Sequence, residues 1–283
     1  MKARAKSDYF PTLAVSPAEK EQGSLSPETV KNGFELYQKN GCLLVKNVFA
    51  ADFVRELYDF HYQTYQHFFE EGEFENTMVV GDQRRMITFE IKDLFNSPDI
   101  YANPLIFQIL EKLLSQNIIL SFFGSVTSYP GAPDQHTHRD NPHIFDQPDV
   151  YDGGEQVLPL LPPYALSVAI PLVPMNEING TNRMFLGSHL VTLEDVRRSC
   201  EYSHPIAELG DCVIMDWRTV HGGTANRSEN IRPVIYLEYF RQWYRDVLNP
   251  KKHILISPAE YAKIPEEKRY LFNWSMTDAD RNE

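Results

Sequence analysis

At Asn117 the chain changes character, and that change limits what it can fold into. Before it, apolar residues recur at helical spacing; after it, short apolar runs follow one another between turn residues. Ser26 and Pro27 predict a helix start, as N-cap and first helical residue, and Asn40-Gly41 predict its end. A second helix is expected from Asp52 to about Phe69, with Phe53, Leu57, Phe60, Tyr65 and Phe68 inward, and a third over Pro104–Leu114. Cys42–Val45 and Met86–Ile91 read as strands within this half. Beyond Asn117, strands are expected over residues 118–128, 165–172, 184–186, 212–217 and 234–240, with a short helix over 193–200. Helices followed by closely spaced strands predict a mainly β fold with flanking helices. The core is expected to be a double-stranded β-helix, a cupin-like jelly roll, buttressed by the N-terminal helices.

The 283 residues suffice for one large domain. The expected division is an irregular arm over 1–25, a helical buttress over 26–115, the jelly-roll core over 116–243 and a polar tail over 244–283, with the pocket mouth one of the places open to that tail. Residues 150–164, rich in Gly and Pro, read as a long loop. A net charge of −12 argues against nucleic acid and anionic membranes as partners, which leaves a small molecule. Cys42, Cys200 and Cys212 show neither zinc spacing nor a disulfide framework, so a reducing, cytoplasmic setting is expected. The N-terminal stretch lacks the apolar run of a signal peptide, and no run reaches the length of a membrane span.

The chemistry concentrates in Gln135-His136-Thr137-His138-Arg139-Asp140. In an extended chain, residues two apart point to one side, so His138 and Asp140 aim at a common point. His221, ahead of Gly222-Gly223, is the best third ligand. Two imidazoles and one carboxylate on one face of a metal form the facial triad of non-heme Fe(II) oxygenases. His136 is the rival for the first imidazole, since it shares a strand face with His138. His143 is read as a surface residue and His189 as a turn holder. Arg232, eleven residues beyond His221 among apolar neighbours, offers a permanently charged fork for a carboxylate. Gln135 and Thr127 are weaker candidates that could equally satisfy backbone groups. Arg84, Arg85 and Met86 are read as a solvated edge rather than a pocket wall.

Together with Asn179-Gly180 and Gly187-Ser188-His189, these motifs resemble the phytanoyl-CoA dioxygenase family from about Gly33 to Tyr239. That family's pattern is Gln-x-x-His-x-Asp, then Asn-Gly and Pro-Gly-Ser-His, then His-Gly and an Arg eleven residues on. Leu186 stands where the family usually has Pro. Asp140 is present, whereas related halogenases replace the carboxylate. The resemblance implies Fe(II) held by His138, Asp140 and His221, with Arg232 on 2-oxoglutarate, helped by Gln135 and Thr127. It implies that O2 is consumed, succinate and CO2 are released, and a C–H bond of a small molecule is oxidised, most simply by hydroxylation. No basic cluster suits a CoA diphosphate, which favours secondary metabolism. The alternative is a cupin-like isomerase or binding module, which has no need of Arg232.

Overall fold

In the computed structural model, residues 6–69, 76–140, 160–246 and 253–275 are described. They build a larger and a smaller β-sheet, with helices against one face of the larger. Strands β1 (Thr12–Ala14), β2 (Cys42–Lys46), β3 (Thr77–Val79), β4 (Arg84–Thr88), β5 (Ile118–Ser128) and β6 (Ala165–Pro171) come first in the chain. They are followed by β7 (Asn182–Phe185), β8 (Tyr202–Ser203), β9 (Cys212–Asp216), β10 (His221–Gly223) and β11 (Arg232–Arg241). The larger sheet runs β1-β2-β9-β6-β11-β5-β4-β3 and the smaller β10-β7-β8. All the paired strands are antiparallel except β1 and β2. Residues 135–140 extend the smaller sheet beside β10, where His138 and His221 exchange backbone hydrogen bonds of 2.8 Å in both directions. Two facing sheets with buttressing helices are the jelly roll expected from the order of elements.

Helices α1 (Pro17–Gln22), α2 (Pro27–Asn40), α3 (Ala51–Tyr65), α4 (Pro98–Tyr101) and α5 (Pro104–Leu114) precede β5. Their boundaries follow local chemistry. The Ser26 side chain accepts from the Thr29 amide, Pro27 opens α2, and Gly41 closes it at φ 74°. Asn103 caps α5 by accepting from the Leu105 and Ile106 amides. The inward face of α5 (Ile106, Ile109, Leu110 and Leu113) is fully or almost fully buried, so apolar burial holds the buttress on the sheet.

Strand parity then sorts the larger sheet into two faces. Ile87, Phe123, Ile235 and Leu237 point into the core shared with the helices. Met86, Val126, Arg232, Tyr236 and Glu238 point the other way and line a cavity under the smaller sheet. This second face carries the chemistry.

Three expectations need correction. Residues 12–22 are not an irregular arm: β1 pairs in parallel with β2, and α1 is opened by a capping box between Ser16 and Glu19. The signal was weak because a three-residue edge strand has no period of its own. The segment 26–115 is more than a helical buttress, since it gives β2, β3 and β4 to the larger sheet. Residues 253–275 do not cover the pocket mouth. Ile254, Ile264, Leu271 and Phe272 are buried in the helix-side core, and the Phe272 ring meets Tyr101 edge-on at 5.1 Å between centroids. A polar run with sparse apolar anchors hid that packing. Of the loop expected over 150–164, residues 150–159 lie outside the described residues, as does His143.

Candidate metal centre and its cavity

His138, Asp140 and His221 meet. Their nearest ligand atoms all lie within 4.8 Å of one another. Nε2 of His221 is 3.7 Å, and Nε2 of His138 3.9 Å, from Oδ1 of Asp140. The extended chain over 135–140 puts His138 and Asp140 on one side, and its pairing with β10 sets His221 opposite His138. Nδ1 of His138 is 3.0 Å from the His136 carbonyl, and Nδ1 of His221 is 3.0 Å from the Thr219 carbonyl. A carbonyl can only accept, so both rings carry their proton on Nδ1 and turn a lone pair on Nε2 toward Asp140. Such outer hydrogen bonds commonly fix metal-ligating histidines. The donor set of two neutral imidazoles and one carboxylate fits a ferrous ion with open positions. His136 is exposed and contributes its carbonyl rather than its ring. His189 is buried, and its Nε2 donates to the Gln38 carbonyl at 3.2 Å, so it holds a turn.

The turn from β9 to β10 is tied down on every side. Arg218 forms a fork on Asp216, Nε to Oδ1 at 2.8 Å and Nη2 to Oδ2 at 2.7 Å, and the Tyr37 hydroxyl donates to Oδ2 at 2.8 Å. Burial alone would raise the Asp216 carboxyl, but the Arg218 guanidinium overrides it and holds the group below the ordinary range. The Thr219 hydroxyl donates to the Gly41 carbonyl at 2.8 Å, and the Ser188 hydroxyl accepts from the Val220 amide at 2.8 Å. The end of α2 thereby fixes the turn that delivers His221.

The cavity, about 130 Å³, is lined by the triad and by residues of both sheets. Arg232 is 3 % exposed and points into it. Its one hydrogen-bond partner among the described residues is the Met175 sulfur at 3.8 Å, and its Nε has none. Burial pulls this guanidinium down to about 10. Arg84, also 3 % exposed, lines the same cavity and donates to the Thr224 carbonyl at 2.9 Å. With Met86 it is cavity wall and not the solvated edge expected; an Arg-Arg-Met run does not reveal which strand face is covered. Gln135 lines the cavity too, but both ends of its amide are engaged. Its Oε1 accepts from the Gly223 amide at 2.8 Å and its Nε2 donates to the Val80 carbonyl at 2.7 Å. Gln135 ties the strand of the triad to its neighbours.

Thr127 does not join this group. It is absent from the cavity lining, while its neighbour Val126 is present. The alternation along β5 turns Thr127 to the helix-side face, where its hydroxyl is buried without a hydrogen-bond partner among the described residues. The residues missed from sequence are Arg84, Asn182, Tyr236 and Glu238. Only the parity relative to Arg232 could have pointed to the last two.

The family model described as Phytanoyl-CoA dioxygenase (PhyH) matches residues 37–234. The dioxygenase trt7 of Aspergillus terreus is 24% identical over 208 residues, which is 71% of this chain and 70% of that protein. The multifunctional dioxygenase ausE of Penicillium brasilianum is 29% identical over 127 residues, 42% of this chain and 40% of its own. Among solved structures, the non-heme alpha ketoglutarate dependent epimerase SnoN from nogalamycin biosynthesis superposes with a TM-score of 0.59. It shares 18% identity over 76% of this chain and 84% of its own, a likeness of fold. A family model spanning most of the length, on a fold that brings the triad together, establishes that this chain belongs to the phytanoyl-CoA dioxygenase family.

Proposed function

We propose that this Fe(II)- and 2-oxoglutarate-dependent dioxygenase hydroxylates a C–H bond of a small molecule in secondary metabolism, with His138, Asp140 and His221 as its iron ligands. The observation that carries the reading is the pairing of the triad with a buried guanidinium, Arg232, that has no ion-pair partner among the described residues. Burying a cation without an anion is costly, so the cavity is built for an anion that arrives from solution. Arg232 takes the distal carboxylate of 2-oxoglutarate, and Arg84 adds positive charge at the same level.

When bound, iron and 2-oxoglutarate supply dioxygen activation, with oxidative decarboxylation to succinate and CO2 and oxidation of the substrate carbon. The chain's own residues bind and orient. The Nδ1 hydrogen bonds hold both imidazoles in one tautomer. The Gln135 amide keeps the two strands of the site in register. Phe122, Val126 and Met86 give the cavity an apolar wall that excludes water. Relatives named as dioxygenases, two of them as multifunctional, support an oxidative reaction here. The cytoplasm is the proposed setting, where the buried thiols of Cys42, Cys200 and Cys212, which form no disulfide among the described residues, are kept reduced.

The test supplies the full chain with Fe(II), ascorbate and 2-oxoglutarate and follows succinate. Slow succinate release without substrate, abolished by Asp140→Ala, is expected. Absence of both 2-oxoglutarate binding and succinate would favour a cupin-like isomerase or binding module instead.

A further inference from the structure

Arg232 stands where β11 has a strand on one side only. β11 pairs with β5 from Arg232↔Ser128 onward, but with β6 only from Val234↔Pro171. The segment that follows β6 lies against this end instead. The Leu172 amide donates to the Pro233 carbonyl at 3.1 Å, and three residues later Met175 Sδ accepts from Nη1 of Arg232 at 3.8 Å.

Met175 has little freedom. Its backbone exchanges hydrogen bonds with Ala207 in both directions, at 2.8 and 3.1 Å. Its side chain is 1 % exposed, in an apolar cluster with Ala169, Met184, Val213 and Val234. The sulfur is therefore a fixed point beside the guanidinium. It is also a poor acceptor: a thioether takes hydrogen bonds weakly, whereas a carboxylate would form the short, charge-assisted kind. The chain thus touches its buried cation with a group that can direct it and cannot neutralise it.

We infer that Met175 is a positioning residue for the co-substrate. It aims Arg232 into the cavity and, as a weak acceptor, does not compete with the carboxylate that Arg232 receives. The inference rests on the oxygenase reading, in which that carboxylate belongs to 2-oxoglutarate. Leu at 175 keeps the apolar packing and removes the acceptor, so Arg232 gains rotamers that ligand binding must then freeze. Glu at 175 does the reverse. It captures the fork before the diacid arrives, and it compensates a charge the ligand-free fold otherwise buries alone.

The metal-loaded full chain tests this, by titration of 2-oxoglutarate without oxygen and by substrate-free succinate release. Met175→Leu should raise KM for 2-oxoglutarate about 3- to 10-fold, with kcat within about twofold and the melting temperature unchanged. Met175→Glu should weaken 2-oxoglutarate binding about 100-fold or more, while its ligand-free melting temperature equals or exceeds that of wild type. Unchanged KM in Met175→Leu, a fall in its kcat without a rise in KM, or wild-type affinity in Met175→Glu overturns the proposal. If Met175→Glu does not fold, Met175→Gln replaces it, with an expected loss of about 10-fold, and wild-type affinity there is equally decisive. Failure of the underlying reading is seen separately, as wild-type protein that neither binds 2-oxoglutarate nor releases succinate.

Discussion

Arg84 and Arg232 flank Ser128 from its two neighbouring strands, and both turn their guanidiniums into the metal-side cavity. Neither has a carboxylate partner among the described residues. Burial is the main reason both lie below the ordinary arginine value, and at Arg232 the positive charge of Arg84 adds to it.

Arg232→Ala should therefore cost about 3–5 kcal/mol of 2-oxoglutarate binding, measured by titration of the metal-loaded chain. Arg232→Lys should recover only part of it, because an ammonium lacks the fork. The ligand-free Arg232→Met protein should be at least as heat-stable as wild type, since a buried charge is removed. A clear fall in its melting temperature, with affinity unchanged, would show that Arg232 serves the fold and not the ligand.

Asp140→Ala should abolish tight Fe(II) binding while the melting curve of the metal-free chain stays within about 1 kcal/mol of wild type, the usual range for a partly exposed position. The two imidazoles keep their carbonyl partners in this variant. Metal titration followed by dialysis and iron analysis reads the outcome. Stoichiometric iron retained by Asp140→Ala would move the third ligand elsewhere.

Acid should weaken the fold through two buried histidines. Burial pulls His61 and His189 from the ordinary 6.5 down to about 4. The unfolded chain thus binds more protons than the folded one between these values, so stability is complete above pH 6.5 and falls as the pH drops toward 4. Each histidine contributes up to about 3 kcal/mol to that loss. Urea unfolding of the metal-free protein between pH 7.5 and 4.5 checks the slope. His61→Phe, placed among Tyr65 and Phe89, should flatten it.

Gly41→Ala should strike the metal site from a distance. A Cβ there would lie 2.5 Å from both His189 Nδ1 and Thr219 Oγ1, at a backbone φ of 74°. Strain of this kind costs about 1–3 kcal/mol, and the clash adds to it. Because Thr219 orients His221, iron affinity should fall along with stability. Gly131→Ala is the control: its φ is 80°, but nothing lies within 4 Å, so it should lose stability without losing iron. Equal effects of the two substitutions on iron binding would refute the coupling.

The triad was legible because its chemistry is local: His138 and Asp140 are two apart, and His221 precedes two glycines. Arg232 was legible from its distance to His221 and its apolar neighbours. Arg84 was not. Its neighbours alternate as a strand, but alternation says only that Arg84 and Met86 share a face, not what covers that face. Thr127 failed for the same reason, since one step along β5 separates the cavity from the helix side. The pairing of β1 with β2 and the burial of Leu271 and Phe272 depend on partners far along the chain, which no local pattern reports.

The triad belongs to the strands of the smaller sheet and the guanidiniums to the larger one, so a bound diacid must bridge the sandwich. Packed sheets stand about 10 Å apart, and that spacing acts as a ruler. If Arg232 holds the far carboxylate of a chelated keto acid, as proposed, the gap between the two sheets sets how long that acid can be, before any single side chain discriminates.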